Sequence, residues 1–229
     1  MAPSADGARS RPIKIAPSLL AADFADIRGA VAAAERGGAD YLHLDIMDGR
    51  FVPNITWGPK VVRDLRKLTK TPFDAHLMIA EPQDYIEEFV RAGAQLVSIH
   101  WEAATQAHRL IGHIKELGAK AGLAINPATS LGVLDEIMPF LDYLVVMSVD
   151  PGFSYQDYIP TSTAKVAAAR RLIDERKLKV EIEVDGGVSL DNAPQIAAAG
   201  ADILVMGAGI YGTPAPADMI GRVRAACAP

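Results

Sequence analysis

A single cysteine, Cys227, stands among 229 residues, close to the C-terminal end. One cysteine permits no intramolecular disulfide and no cysteine cluster around a metal, and the expected setting is reducing and cytoplasmic. Charge of one sign is equally scarce. The formal net charge is −5 and no block of Lys or Arg occurs, which removes nucleic acid and membrane surfaces from the expected partners. No apolar run approaches the length of a membrane span. Residues 1–12, MAPSADGARSRP, lack the apolar stretch of a secretory signal. They read as a flexible N-terminal tail, with residues 13–229 as one domain that no linker-like stretch divides. The expected molecule is soluble.

What the chain does have is apolar residues, 50% of the total, the richness that parallel strands buried under helices impose. Short apolar runs recur at 13–19, 41–47, 73–79, 96–102, 120–126, 143–149, 180–185 and 201–206. Amphipathic, Ala-rich stretches such as 23–36, 58–69, 83–92, 106–117 and 163–177 lie between them. Several of these end at a glycine followed by a small residue: Gly38-Ala39, Gly93-Ala94, Gly118-Ala119 and Gly200-Ala201. A glycine there can take the left-handed conformation that closes a helix. Strict strand–helix alternation implies a parallel sheet with right-handed crossovers. Eight such units in this length predict an α/β fold of the (β/α)8 TIM-barrel type. An open doubly wound sheet is the rival, and no Gly-rich fingerprint follows the first strand to support it.

Barrel enzymes work where strands end and the following loops begin, so the polar residues that face inward at those ends carry the information. Side chains alternate along a strand. Strand 2 places His43, Asp45 and Met47 on one face, with aliphatic Leu42, Leu44 and Ile46 on the other. Strand 3 groups Asp74, His76 and Met78; strand 7 groups Glu181, Glu183 and Asp185; strand 1 groups Lys14, Ala16 and Ser18. His43, Asp45, His76 and Asp185 thereby converge near one barrel end. Two imidazoles and two carboxylates suit Zn²⁺, Fe²⁺ or Mn²⁺. The plainer reading is four separate hydrogen-bonded polar residues. His100 on strand 4 is left outside the set, because Glu102 on its own face can satisfy it. Deeper in the barrel, Lys14 is expected to pair with Glu183, since buried charges are costly alone. Met47, Met78 and Met147, with Met206, fall near strand ends. They read equally as core filling or as an apolar wall that lowers the dielectric around the site.

Loops after strands 7 and 8 hold phosphate in many barrels. Here they begin Asp185-Gly186-Gly187 and Gly207-Ala208-Gly209, where glycine allows close backbone approach. Residues 207–212, GAGIYG, match a dinucleotide pattern but follow the last strand, with too little chain left for another unit. The loop after strand 6, Asp150 to Gln156, is long enough to act as a lid.

The stretches IAPSLLAADF, HLDIMDGRFVPNITWGP, DAHLM, INPAT, MSVDPGF and EVDGG together resemble the ribulose-phosphate 3-epimerase family along residues 13–212. The resemblance implies a barrel of the ribulose-phosphate-binding type. It implies a metal bound by His43, Asp45, His76 and Asp185, Zn²⁺ foremost with Fe²⁺, Mn²⁺ or Co²⁺ as alternatives, and an acid–base pair in Asp45 and Asp185. Contacts to a ketose phosphate are implied for Ser18, His76, Asp185 and the loop residues Gly152, Phe153, Ser154, Tyr155, Gly186, Gly187, Gly207 and Ala208, and assembly as a homo-oligomer is expected. The implied reaction exchanges D-ribulose 5-phosphate and D-xylulose 5-phosphate through proton transfer at carbon 3 and an enediolate.

Two departures from the family pattern stand at the phosphate end. Ser154 and Tyr155 replace two glycines of PGFGGQ, and Ala208 replaces the serine of Gly-Ser. They leave a related substrate, such as allulose 6-phosphate, as an alternative. A decarboxylase or aldol-type barrel would need an Asp-x-Lys pattern or an inward strand-end lysine, and neither occurs. A phosphosugar-binding protein without catalysis is the remaining alternative.

Overall fold

A computed structural model of the chain describes residues 12–228; of the expected N-terminal tail, residues 1–11 lie outside the described part. Eight strands follow in order: β1 (Lys14–Pro17), β2 (Leu42–Met47), β3 (Phe73–Met78), β4 (Ala94–His100), β5 (Lys120–Ile125), β6 (Tyr143–Met147), β7 (Glu181–Asp185) and β8 (Ile203–Met206). All ladders are parallel, and the strands run around the sheet as β1-β8-β7-β6-β5-β4-β3-β2. A bridge between Ser18 and His43 joins the β1 and β2 edges, and the sheet becomes a nearly closed barrel. The helices are α1 (Ile27–Arg36), α2 (Pro59–Leu65), α3 (Ile86–Ala92), α4 (Ala107–Glu116), α5 (Thr161–Glu175), α6 (Ala193–Ala198), α7 (Ala208–Tyr211) and α8 (Pro216–Ala226). Among the described residues no helix is long and apolar enough to cross a membrane.

The four glycines expected at helix ends all have positive φ. Gly93 closes α3 so abruptly that β4 starts at Ala94 and ends at His100, two residues earlier at both ends than its apolar run suggests. The segment after β5 forms only two short 3-10 turns, Leu131–Leu134 and Met138–Phe140. Pro127, Gly132 and Pro139 interrupt any longer helix there.

Alternation along the strands sorts the core into two layers. Aliphatic residues on the outer face pack under the helices. In α4 that contact is made by Ala107, Leu110, Ile111 and Ile114, the spacing of one helical stripe. Inside the barrel, Ala16, Leu96, Ala124, Tyr143, Val145, Met147, Ile203 and Val205 belong to a separate buried cluster. One open sequence reading is decided here and one expectation is corrected. Met206 joins the outer layer, because the phase of β8 turns Val205 inward. Lys14 pairs with Glu181 at 2.7 Å, and with the Tyr41 hydroxyl at 3.2 Å, instead of with Glu183. The ladders put Lys14 level with Glu183 through Ile203, but a flexible lysine stem carries its ammonium towards water at the partly exposed barrel floor.

One interior contact constrains the whole barrel. The Tyr143 ring lies across β5, where a side chain on Gly122 would bring its Cβ within 2.3 Å of Tyr143 Cζ. Overpacking of this kind costs about 1–3 kcal/mol. Gly122→Ala is therefore expected to lower the thermal midpoint and the urea midpoint together. An unchanged midpoint would show that the ring is free to move aside.

Candidate metal and acid–base centre

Register places the central residues. β2 and β3 pair His43 with Asp74 and Asp45 with His76, so each imidazole has a carboxylate-bearing neighbour on the adjoining strand. Asp185 arrives from the end of β7, separated from β2 by β1 and β8. His43 and His76 are 0% exposed, Asp45 4% and Asp185 9%. His43 Nε2 lies 3.5 Å from Asp45 Oδ1 and 3.7 Å from Asp185 Oδ2. His76 Nδ1 lies 3.9 Å from Asp45 Oδ1 and 3.3 Å from Asp185 Oδ2.

These residues fit a cation. Ligand bonds of 2.0–2.1 Å in a tetrahedron put neighbouring donors ~3.3 Å apart, close to the observed spacings and reachable by small movements. The two nitrogens at issue, His43 Nε2 and His76 Nδ1, are buried without a hydrogen-bond partner, a costly condition for a polar atom that a metal ligand would escape. His43, Asp45, His76 and Asp185 form a possible metal-binding cluster with donors all within 4.8 Å of one another.

The ring orientations have structural causes. His43 Nδ1 donates to Asp74 Oδ2 at 2.7 Å, while the Tyr143 hydroxyl donates to Asp74 Oδ1 at 2.9 Å. Burial opposes a charge on His43, yet Asp45 and Asp74 hold its pKa well above the usual imidazole value. Burial likewise opposes ionisation of Asp74 and Asp45, but His43 beside both keeps each carboxyl below its ordinary range. Asp45 gains further from His76 and from the Ser18 hydroxyl, which donates to Oδ2 at 2.6 Å. Its backbone carbonyl accepts from Trp57 Nε1 at 3.0 Å and from the Thr56 hydroxyl. Glu183 behaves oppositely: complete burial and the Asp74 charge push its carboxyl well above the usual range.

A second set of groups backs His76. Its Nε2 lies 2.8 Å from His100 Nε2, and His100 Nδ1 lies 3.3 Å from Glu102 Oε2. Burial pushes the His100 pKa down to about 4. Glu102 resists its own partial burial through His100, Thr129 and the Asn126 amide, which lower it to about 2.

The centre opens into a cleft of about 570 Å³, its mouth included. Met47, Met78 and Met147 line it beside Asp45 and Asp185, whereas Met206 packs in the outer layer. Ser18, Gly186, Gly187, Gly207 and Ala208 line the same cleft, as do Gly152, Phe153, Ser154 and Tyr155. The loop after β6 is tied down: Gln156 donates to the carbonyls of Asp150 and Phe153, and Asn54 donates to that of Gly152. Tyr155 stands 71% exposed at the rim with φ 62°, a strained conformation for a side chain of its size. Sequence reasoning assigned no role at the site to Asp74, Tyr143, Glu183 or His100. Asp74 was signalled by lying two residues before His76 on the same face. Tyr143 had no local signal, because it reaches Asp74 across the barrel.

A centre of this kind at the C-terminal mouth of a parallel barrel is where such folds carry their chemistry, and fold and site together define a barrel enzyme. Likeness to known proteins narrows the class. The Ribulose-phosphate 3 epimerase family pattern matches residues 14–211. The chain is 46% identical over 217 residues to ribulose-phosphate 3-epimerase of Synechocystis, covering 94% of each protein. It is 45% identical to the enzyme of that name from Bacillus subtilis, covering 93% of this chain and 98% of the relative. Among solved structures, 3-hexulose-6-phosphate synthase superposes with a TM-score of 0.66 at 19% identity, covering 94% of this chain and 99% of that one. Orotidine 5'-phosphate decarboxylase from Pyrococcus horikoshii gives 0.63 at 17%, covering 93% and 98%. These last two likenesses show the fold alone. The chain belongs to the ribulose-phosphate 3-epimerase family and is an enzyme of the epimerase class.

The Tyr143 hydroxyl is one of the groups that satisfy the buried Asp74 carboxylate. Removing a donor from a buried charged acceptor costs about 1–3 kcal/mol. Tyr143→Phe is expected to lose that much stability in chelator-treated protein, read by urea unfolding. No loss would mean that Asp74 finds another donor.

Proposed function

We propose that the protein interconverts D-ribulose 5-phosphate and D-xylulose 5-phosphate by moving the proton on carbon 3 between Asp45 and Asp185. The observation that carries this reading is the placement of the two carboxylates. They approach one cavity from different strands, β2 and β7, with their oxygens a few ångströms from the same two imidazole nitrogens. Inversion at a carbon needs removal of a proton on one face and its return on the other, hence two groups. His43, His76 and Ser18 hold Asp45 ionised, ready to accept the proton when carbon 3 presents it towards β2. Asp185 then delivers a proton from the β7 side, and the reverse reaction exchanges the roles.

A divalent cation held by His43, Asp45, His76 and Asp185, with Zn²⁺ suiting the mixed nitrogen–oxygen donors, would supply Lewis-acid stabilisation of the negative charge on the enediolate oxygens. Met47, Met78 and Met147 exclude water from the reacting carbon and keep the local dielectric low. Backbone amides around Gly186, Gly187, Gly207 and Ala208 are suited to the phosphate, and Phe153, Ser154 and Tyr155 to the rim above it. The substrate assignment rests on this geometry together with relatives of 42–46% identity that carry the epimerase name.

Asp45→Asn should leave the circular dichroism spectrum unchanged and reduce turnover by about 10²–10⁴-fold, with a matching loss of carbon 3 proton exchange into deuterated water. Near-normal exchange in this variant would sink the two-aspartate scheme.

Chelator-treated protein should lose turnover and regain it with Zn²⁺. His43 keeps a proton in the metal-free protein, and metal uptake must displace it. Zinc affinity should therefore rise with pH, by about tenfold per unit below the His43 pKa, as read by chelator competition at several pH values. A flat profile would show that His43 holds no proton for the metal to displace.

A further inference from the structure

We infer that His100 and Glu102 are positioning residues that fix the proton of His76 on Nε2, leaving Nδ1 bare for a metal. The inference deepens the metal reading of the same site and rests on it.

The geometry of the ring pair is specific. The His76 and His100 planes lie 17° apart with centroids separated by 4.9 Å, and their Nε2 atoms approach to 2.8 Å. That centroid distance is nearly the largest that two imidazoles with touching nitrogens allow. The rings therefore meet edge to edge in almost one plane, nitrogen aimed at nitrogen, and not face on face. An approach this close requires one proton between them, because two bare nitrogens or two N–H groups would repel.

Which ring owns that proton is decided at the far end. Glu102 is a carboxylate held ionised by three partners: His100 on Oε2, and the Asn126 amide and the Thr129 hydroxyl on Oε1. A carboxylate only accepts, so His100 carries its proton on Nδ1 and turns a bare Nε2 towards His76. His76 must then be the donor, with its proton on Nε2. What remains is Nδ1, the atom that lies 3.3 Å from Asp185 and has no partner. The far end is itself anchored. Lys165 donates to the carbonyls of Asn126, Pro127 and Thr129, fixing the loop whose amide and hydroxyl hold Glu102. A chain of hydrogen bonds thus runs from the loop after β5, through β4, to the His76 face of the centre. Phe51 packs against His100, with ring centroids 4.7 Å apart.

His43 has the corresponding arrangement in one step, through Asp74. Groups that orient a ligating imidazole commonly change metal affinity by about 10–100-fold.

The test compares wild type, His100→Leu and His100→Gln. Nitrogen-15 imidazole correlation spectra of the metal-free proteins report which nitrogen of His76 is protonated, and chelator competition reports zinc affinity. Wild type should show His76 protonated on Nε2. His100→Leu removes the acceptor and should mix the two His76 tautomers and weaken zinc binding by about 10–100-fold. His100→Gln offers a carbonyl oxygen in place of the ring nitrogen and should restore the Nε2 tautomer and most of the affinity. A wild-type His76 protonated on Nδ1 would overturn the inference without any variant. So would His100→Leu with unchanged tautomer and affinity, or His100→Gln as damaged as His100→Leu, since the ring would then act as filler. Wild type that binds no zinc would instead refute the metal reading, while the tautomer spectra would still decide the hydrogen-bond chain.

Discussion

Asp74 takes the Nδ1 proton of His43 at 2.7 Å in the sealed interior of the barrel, and the rest of the centre is built around that hydrogen bond. A carboxylate can only accept, so the ring presents Nε2, and not Nδ1, to Asp45 and Asp185. For Asp74 to stay ionised there it needs donors, and Tyr143 supplies one from β6. Tyr143 in turn needs the space that Gly122 leaves on β5. Packing in the barrel interior and charge at its mouth are thus one problem, solved by residues on four strands.

Four carboxyl groups, Asp45, Asp74, Glu183 and Asp185, share a small volume with His43 and His76. Like charges at such distances cannot all ionise in a medium of low polarity. The structure divides them. Asp45 and Asp74 have imidazole and hydroxyl partners that favour their charged forms, whereas burial and the Asp74 charge push Glu183 towards its neutral form. His43 Nε2 and His76 Nδ1 are what that division leaves over, buried atoms without a hydrogen-bond partner. Strand-borne residues hold this part rigid, and the recognition loops stand above it. Tyr155, at the exposed rim, and Ala208, the first residue of α7, both lie outside the strand-borne centre.

The barrel and most of its centre were legible before any coordinates. Period-two alternation with aliphatic outer faces placed His43, Asp45, His76 and Asp185 inside, because a strand has only two faces and an outer helix layer claims one of them. The same rule misplaced the Lys14 partner. A ladder register locates an α-carbon, not the end of a flexible side chain. His100 was set aside for a reason that is half correct. Glu102 does satisfy one of its nitrogens, but the other points at His76.

Sequence alone determined the class of fold, the set of inward polar residues and the glycine-rich rims, since these follow from local periodicity and turn chemistry. Only the tertiary structure decided which nitrogen each histidine offers, which carboxyl is pushed towards its neutral form and which strands share a hydrogen bond. Those outcomes depend on atoms brought together from distant points of the chain, where a change of one ångström separates a donor from a bystander. Asp45 and Asp185 lie 140 residues apart in the sequence, and only the closing of the barrel turns them towards one cavity.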